Sequence, residues 1–575
     1  MITKDGTIII NEWDTAIAES SMQGFADMRN CDPFRKPGYL ELAPEMVNEA
    51  DTPFSVACTA NTGTDLITLS SGSILRGNST YSGVYKVVQF TTTGTLPAGL
   101  SLATNYFITF NGSLTGTVFN VSTSLANAEA GTFVNITDTG TGIHTCTSVN
   151  IGTPRYVIYD STYGYFLQDS NGRIWNKTST FWILYAGNTT AGSSGNGLAI
   201  WQGYLIAFRN TVIDVALLSS KAWTNAFQSS MTSLSDHFPF VSGDGDLYFS
   251  NGKKVGSLSE LTIFDPSSGA TYTYSDNVLD LEDTITCFGD LGNLLMIGTN
   301  VNKIYPWDRT SSSFSVPINL LESNVLCMKS VNNVLYFGCG GRGNIYRTYG
   351  TTAEIFIDIS NEFSNTLEYP ANTSAIILTS NEILFYVIGV NQAITGIYAA
   401  NLKTGAYHLK YKLSQGYAVS PYLNAVMGVT GSNNNDIIVG AYSTAGITYI
   451  DTTFFFGSNF STATRYISYA VTKLYEVGTF VKPRTFKTMQ LILAAKMISG
   501  MGIKVSSRKN LTDSFTETAT FDYATMADET AWQANINIEK AQFIQLKIEL
   551  QVSGSAPSTA GSVYSTPTIR SLIVE

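Results

Sequence analysis

Two stretches of the chain repeat one another. Ile285, Cys287, Asn293, Leu294, Leu295, Ile297 and Gly298 return 40 residues later as Val325, Cys327, Asn333, Val334, Leu335, Phe337 and Gly338. After one inserted residue, Ile304-Tyr305 returns as Ile345-Tyr346. A period near 40, made of a short strand, a turn, a strand ending in Gly and a strand ending in Ile-Tyr, is the pattern of a β-propeller blade. One small sheet cannot bury both of its faces alone, so one blade requires a ring of them.

Looser copies surround the two clear ones. Tyr156-Val-Ile-Tyr, Tyr165-Phe-Leu-Gln and Arg173-Ile-Trp175 form one unit around Asn171-Gly172. Leu198 to Ile213 and Phe238 to Leu258 form two more, the second with its own Asn251-Gly252. Asn-Gly between alternating runs predicts a hairpin turn with both central residues at positive φ. Ile376 to Tyr398 and Ala425 to Ile450 complete the series. Residues 151–455 therefore read as a six- or seven-bladed propeller. Lys221 to Asp236, containing Ala222-Trp-Thr-Asn-Ala-Phe227, reads as an insertion with a short surface helix.

The flanking segments have a different texture. Residues 51–150 are rich in Thr, Ser, Gly and Asn, with short alternating runs such as Val84 to Phe90, Tyr106 to Phe110 and Thr117 to Val121. They predict an inserted small β-sandwich or barrel, with a helical turn at Leu125 to Ala130. Residues 456–575 carry longer alternating runs, from Thr464 to Tyr475 onward through Phe543 to Leu550, and predict a jelly-roll-like β-sandwich. Residues 1–50 are not self-contained. Thr7 to Asn11 reads as a strand, Thr15 to Met28 is weakly helical, and the whole joins the propeller or a platform beside it. The expected fold class is all-β throughout.

Composition narrows the function. Of 575 residues, 13% are charged and 12% aromatic, and the formal net charge is −11. A phosphate-binding groove needs clustered Lys and Arg. The densest basic stretch holds only Lys482, Arg484 and Lys487, which reads as a solvated strand edge. The six cysteines lack CxxC spacing. Cys287 and Cys327 read as equivalent core residues, and Cys58 and Cys146 flank the inserted domain, where their pairing is an open question. No apolar leader and no run of about 18 apolar residues stands in the chain, so the expectation is a product of a reducing cytoplasm without a membrane span.

The search for chemistry returns no site. His144, His237 and His408 are the only histidines and lie far apart, which leaves no His-rich metal site and no Ser-His-Asp triad. Asp236-His237 is the one tempting pair and reads as a turn. Asp169 to Trp175 approaches the S-x-D-x-G-x-x-W turn of sialidase propellers, but two residues separate Asp169 from Gly172. Asp244-Gly-Asp246 has too few oxygens for a calcium loop. Trp175, Trp201, Trp223 and Trp307 are of the type that stacks on sugars, and each fits blade packing equally well. No catalytic, cofactor-binding or metal-ligating residue is assigned.

Some local wording is more specific. Gly24-Phe-Ala-Asp-Met-Arg-Asn-Cys-Asp32, followed by Pro37-Gly38-Tyr-Leu, resembles the N-terminal segment of the tail nozzle proteins of short-tailed bacteriophages, also called tail tubular protein B or tail hub. Phe90 to Leu100, Asn105 to Ile108, Thr123 to Ala128 and Gly140 to His144 are similar to a small β module scattered among phage tail proteins. Phe543 to Ile548 and Thr566-Pro-Thr-Ile569 resemble the terminal sandwich of virion proteins. The resemblance implies a homohexameric ring around a DNA-ejection channel in the virion tail. Its implied partners are adaptor or portal-side proteins, tail fibres or tip proteins, and viral DNA passing without specific binding. It implies no catalytic residues and no cofactor. A tail-tip protein binding host surface glycans is the alternative, and a glycan depolymerase stands behind it.

Overall fold

The protein is described from a computed structural model. It describes residues 2, 7–10, 13, 25–29, 31–33, 39–42, 46–48, 54–71, 84–109, 117–177, 182–185, 194–228, 231–259, 272–278, 283–359, 371–378, 382–389, 395–412, 422–428, 437–442, 448–453, 468–479, 481–497, 500–526, 529–552 and 568–575. The chain is all-β, and its centre is a propeller-like succession of small antiparallel sheets.

The first sheet runs Pro154–Asp160, Gly164–Asp169, Ile174–Lys177, Ile183–Leu184. The second runs Gly197–Trp201, Tyr204–Arg209, Val212–Leu217, Ala222–Gln228, and the third Phe240–Val241, Leu247–Asn251, Lys254–Leu258, Tyr272–Val278. The repeat forms the fourth and fifth: Ile285–Leu291, Leu294–Thr299, Lys303–Trp307, Ile318–Asn319, then Val325–Val331, Val334–Cys339, Ile345–Thr348, Ala353–Ile357. The sixth runs Ala371–Leu378, Glu382–Gly389, Gly396–Asn401, Tyr407–Lys412, and the seventh Tyr422–Gly428, Ile437–Tyr442, Thr448–Thr453.

The first six sheets pack face to face in succession. In the second strand of the second sheet, Leu205 and Ala207 join a core shared with the first sheet, while Ile206 and Phe208 join one shared with the third. Burial of both faces is why such strands read as continuous apolar runs rather than strict alternation. The Ile-Tyr landmark works the same way. Ile304 packs toward the fifth sheet and Tyr305 toward the third, and Ile345 and Tyr346 divide likewise between the sixth and the fourth. The first strand of the seventh sheet touches the first strands of both the sixth and the first, which closes the circuit.

The N-terminal segment stitches this circuit to its neighbours. Met46–Asn48 is the outermost strand of the seventh sheet, pairing with Asp451, Thr452 and Thr453. Phe25–Arg29 meets the sixth sheet at Arg29↔Leu409 on one side and pairs antiparallel with Ser468–Thr472 on the other. Ile8–Ile10 adds a strand to Ile569–Val574, the last strand of the chain. Residues 25–28 are therefore strand rather than helix, because both edges of that segment find sheet partners; the rest of the stretch from Thr15 lies outside the described residues.

Two antiparallel sheets make up the C-terminal part. One is ordered Ile8–Ile10, Ile569–Val574, Arg484–Leu493, Ala531–Ala541; the other includes Phe25–Arg29, Ser468–Thr472, Phe543–Val552, Met501–Arg508 and Thr516–Asp522. Phe486, Met489, Leu491, Ile503, Ile544 and Leu572 share one core between them, with Trp13 and Phe25 from the N-terminal segment. The alternating run expected from Thr464 is described only as Ser468–Thr472 and Tyr475–Glu476.

The inserted part is a closed barrel in the order Val118–Ser122, Leu66–Leu69, Ser55–Asn61, His144–Val149, Val84–Thr92, Tyr106–Thr109. Leu125–Glu129 is the expected helical turn, with Ser124 Oγ accepting the Asn127 N–H at 3.1 Å. The barrel is docked rather than pendant: Val87, Phe107, Leu125 and Ala128 pack on Val157, Leu167, Trp175 and Leu184 of the first sheet.

One expectation fails inside the circuit. Ala222–Gln228 is not a helix but the outer strand of the second sheet, pairing Leu217↔Ala222 and Val215↔Thr224. The Asp214 carboxylate accepts the Ala226 N–H across a bulge, where Ala226 has φ +49. Sheet pairing and Trp223 edge-on to Tyr185 at 6.0 Å override any local helical tendency. The Asn-Gly turns also differ in detail. Gly172 and Gly252 have φ +72 and +74, but Asn171 and Asn251 are not left-handed; two-residue turns with both residues left-handed are instead Gln202-Gly203 in the second sheet, at +50 and +78, and Asn332-Asn333 in the fifth, at +51 and +59.

Candidate functional site

The polar side chains of the circuit concentrate where one sheet hands over to the next. Arg309 follows the third strand of the fourth sheet. Its guanidinium reaches Asp290 at 2.7 Å, Asp244 at 2.9 Å, Ser242 Oγ at 2.7 Å and the Asn293 carbonyl at 2.7 Å. It also lies over the Tyr248 ring at 5.9 Å. Asp290 accepts the Gly243 N–H at 2.7 Å and the Ser242 hydroxyl at 2.8 Å. Asp244-Gly-Asp246 is thus a tight turn of the third sheet clamped onto the fourth. Asp244 also accepts the Tyr248 hydroxyl at 2.8 Å, and Asp246 accepts Ser259 Oγ at 2.8 Å. Burial, then the Asp244 carboxylate, push the Tyr248 hydroxyl pKa well up. Among the described residues, no group of three or more His, Cys, Asp or Glu is arranged to hold a metal ion.

The repeat carries a second polar device. Tyr305 Oη donates to Asp283 at 2.6 Å, and Tyr346 Oη donates to Glu322 at 2.6 Å. Each carboxylate stands just upstream of its own first strand. The two tyrosines are therefore latches as well as core residues, tying the third strand of a sheet to the chain that enters it.

Asp236 and His237 turn apart. Asp236 Oδ1 accepts Arg155 Nη2 at 2.5 Å and Tyr156 Oη at 2.8 Å, linking the entrances of the first and third sheets. Burial and then the Asp236 charge raise the Tyr156 pKa well above the ordinary phenol value. The fully buried His237 ring instead lies 2.7 Å from the Ser250 carbonyl and 2.9 Å from the Asn210 carbonyl. His144 is held by Thr92 and Thr139 in the barrel, and His408 Nε2 by the Cys31 carbonyl. The three histidines sit in three separate environments.

Asp169 is also structural. It is fully buried and accepts the N–H groups of Gly152, Asn171 and Arg173 and the Trp175 indole, at 2.9 to 3.1 Å. Burial nonetheless raises its pKa, against the pull of those donors. Trp175, Trp201 and Trp307 are buried between sheets, and Trp223 is half-buried against Tyr185. The three buried ones present no open ring for a sugar.

The cysteines are thiols. Cys58 and Cys146 share the barrel core on neighbouring strands, offset diagonally, since Cys58 faces His144 and Cys146 faces Val56. Burial pushes the Cys58 thiol up to about 11 and raises Cys146 further. Lys482, Arg484 and Lys487 lie at and beside the start of a sandwich strand, where Arg484 covers the Phe486 ring at 5.4 Å.

The residues that matter most here, Arg309, Asp290, Asp283 and Glu322, are not marked by any motif. The signal that finds Asp283 and Glu322 is position: each carboxylate immediately precedes a copy of the repeat.

No family model matches the chain, and no curated protein matches it. Solved structures do. The WD40 domain of Pan2 from Neurospora crassa matches at 9% identity with a TM-score of 0.38, over 52% of this chain and 89% of that one. The RRP9 WD40 repeats match at 12% identity and TM-score 0.40, over 52% and 94%. The computationally designed Ika8 protein matches at 10% identity and TM-score 0.35, over 52% and 86%. Likenesses of this strength say nothing of what the chain does.

Proposed function

We propose that the chain is a tail nozzle or hub subunit of a short-tailed bacteriophage, a seven-bladed propeller with an inserted barrel and a C-terminal sandwich, and a structural part rather than an enzyme. The observation that carries this reading is how its polar groups are used. Asp169, Asp236, Asp244, Asp283, Asp290 and Glu322 each accept a hydrogen bond or ion pair within or between sheets. Such bonds stiffen a wall. The N-terminal strands support it too, because they bind propeller and sandwich into one body. A net charge of −11 suits a conduit that repels phosphate rather than holding it. In this account six copies close into a ring around the ejection channel, with adaptor or portal-side proteins above and fibres or tip proteins below. Electron microscopy of the purified protein tests it: rings with an axial channel are expected, and isolated single chains at high concentration would refute it.

A further inference from the structure

The chain carries four Asn-Gly pairs, at Asn111, Asn171, Asn196 and Asn251, of which the first lies outside the described residues. Asn-Gly is chemically labile. The side-chain amide carbon of Asn stands within reach of the next peptide nitrogen, and a Gly there, lacking Cβ, leaves that nitrogen open to close on it. Ring closure needs two freedoms. The amide must be unheld, and the peptide after it must be able to turn.

Asn196 has neither. It is 3% exposed. Its Nδ2 donates to the Leu234 and Ser235 carbonyls at 3.1 and 2.6 Å, and its Oδ1 accepts the Asn210 N–H at 2.6 Å. The Gly197 N–H is taken by Gln168 Oε1 at 3.0 Å. Asn251 is a ladder residue, paired with Lys254 at the end of a hairpin, and its Oδ1 accepts the Thr232 N–H at 2.8 Å. Asn171 differs from both. It is exposed and stands in the turn beyond Gln168 and Ile174, the last pair of its hairpin, with no ladder partner of its own among the described residues. Among those residues its side-chain amide makes no hydrogen bond. Only the backbone of the turn is held: Asp169 Oδ1 accepts the Asn171 N–H and the Asp169 carbonyl accepts the Gly172 N–H, each at 2.9 Å.

We propose that Asn171 is a site of self-modification: its amide cyclises onto Gly172, and the turn ages to aspartate and isoaspartate. The Gly172 nitrogen bonds to Asn171 Cγ, the Cγ–Nδ2 bond breaks, and Nδ2 leaves as ammonia with the Gly172 proton. Water then opens the ring at one of its two carbonyl–nitrogen bonds, so water is the only co-reactant. The Gly172 N–H must first release the Asp169 carbonyl, and the step waits on local opening of the turn. The isoaspartate product lengthens the main chain by one carbon between residues 171 and 172. That draws the Arg173 N–H away from Asp169 Oδ1, to which it donates at 3.0 Å. The same carboxylate holds the Gly152 N–H and the Trp175 indole, at 2.9 and 3.1 Å, and Trp175 lies in the core that the first sheet shares with the barrel. Ageing at Asn171 therefore loosens the seat of the barrel.

Peptide mapping by mass spectrometry tests it on the full chain held in warm, mildly alkaline buffer. The peptide with Asn171 should convert to the acid first, with isoaspartate among its products. It should lead Asn196 by at least about tenfold, since each of the three bonds holding that amide slows ring closure by roughly a few-fold. In the chain unfolded by guanidinium chloride this order should vanish. Asn171→Gln, whose longer side chain closes a ring poorly, should stay unmodified. In limited proteolysis, aged wild-type protein should be cut within residues 54–149 sooner than fresh protein, and aged Asn171→Gln should not. Asn196 or Asn251 converting ahead of Asn171 in the folded chain, or Asn171 intact when the unfolded chain has converted, overturns the site. Conversion at Asn171 without faster cutting of the barrel overturns the link through Asp169. Neither result bears on the ring reading.

Discussion

Trp13→Ala should unfasten the C-terminal sandwich. Trp13 is fully buried, stacked on Phe25 with centroids 5.6 Å apart, and its indole N–H donates to the Arg570 carbonyl at 3.0 Å. Removing a buried indole costs about 3–5 kcal/mol through lost burial and the cavity left behind. The Arg570 carbonyl also loses a partner, worth about 1 kcal/mol. A loss of roughly 4–6 kcal/mol is a large share of a domain's stability. The effect should be local. Urea unfolding of the variant should show an early transition, and limited proteolysis in its first phase should cut within residues 468–575 while sparing the repeat at 285–346. Trp13→Phe, which keeps an aromatic ring against Phe25, should recover most of the loss. A single unshifted transition for Trp13→Ala would refute the claim that the N-terminal segment is part of the sandwich core.

Three further outcomes follow from the same structure. Tyr346→Phe keeps the ring but takes the 2.6 Å hydroxyl donor from Glu322, leaving it Asn344 Nδ2 at 3.5 Å, and should cost about 1 kcal/mol in thermal or urea unfolding; Tyr305→Phe should act alike through Asp283, which keeps Lys303 at 3.5 Å. His237→Ala removes a buried ring between two carbonyls and should cost more, about 2–4 kcal/mol, read in the same way. In alkali, Cys58, held up to about 11, and Cys339 and Tyr475, each held up to about 12, favour the native state while protonated. Their contribution is whole below the unfolded thiol and phenol pKa values, and is lost as pH rises through the folded ones. Stability should therefore fall across pH 9 to 12, and Cys58 and Cys146 should resist thiol reagents at pH 8 until the barrel unfolds.

The repeat was legible because it is local. Both copies even share the same irregularity, a register shift between Ile285 and Cys287 and between Val325 and Cys327. The strands of the barrel and the turn at Leu125 were legible for the same reason, since alternation and Ser capping act over a few residues. What the sequence hid was partnership at long range. The strand at Ile8 was readable, but nothing in it announces Ile573 as its neighbour. Ala222–Gln228 carries residues that suit either helix or strand, and Val212–Leu217 beside it decides. The Arg309 cluster joins residues from two sheets through one guanidinium, and no linear pattern records that. The histidines were read as structural from their scatter, and their three separate sets of partners give the physical reason; the tryptophans fitted sugar stacking and blade packing equally well in the sequence, and burial of Trp175, Trp201 and Trp307 is what only the structure adds.

The mass of the purified protein in solution tests the central claim most directly. The nozzle account predicts a closed species six times the mass of one chain that persists on dilution. A particle with the mass of a single chain under the same conditions would contradict it.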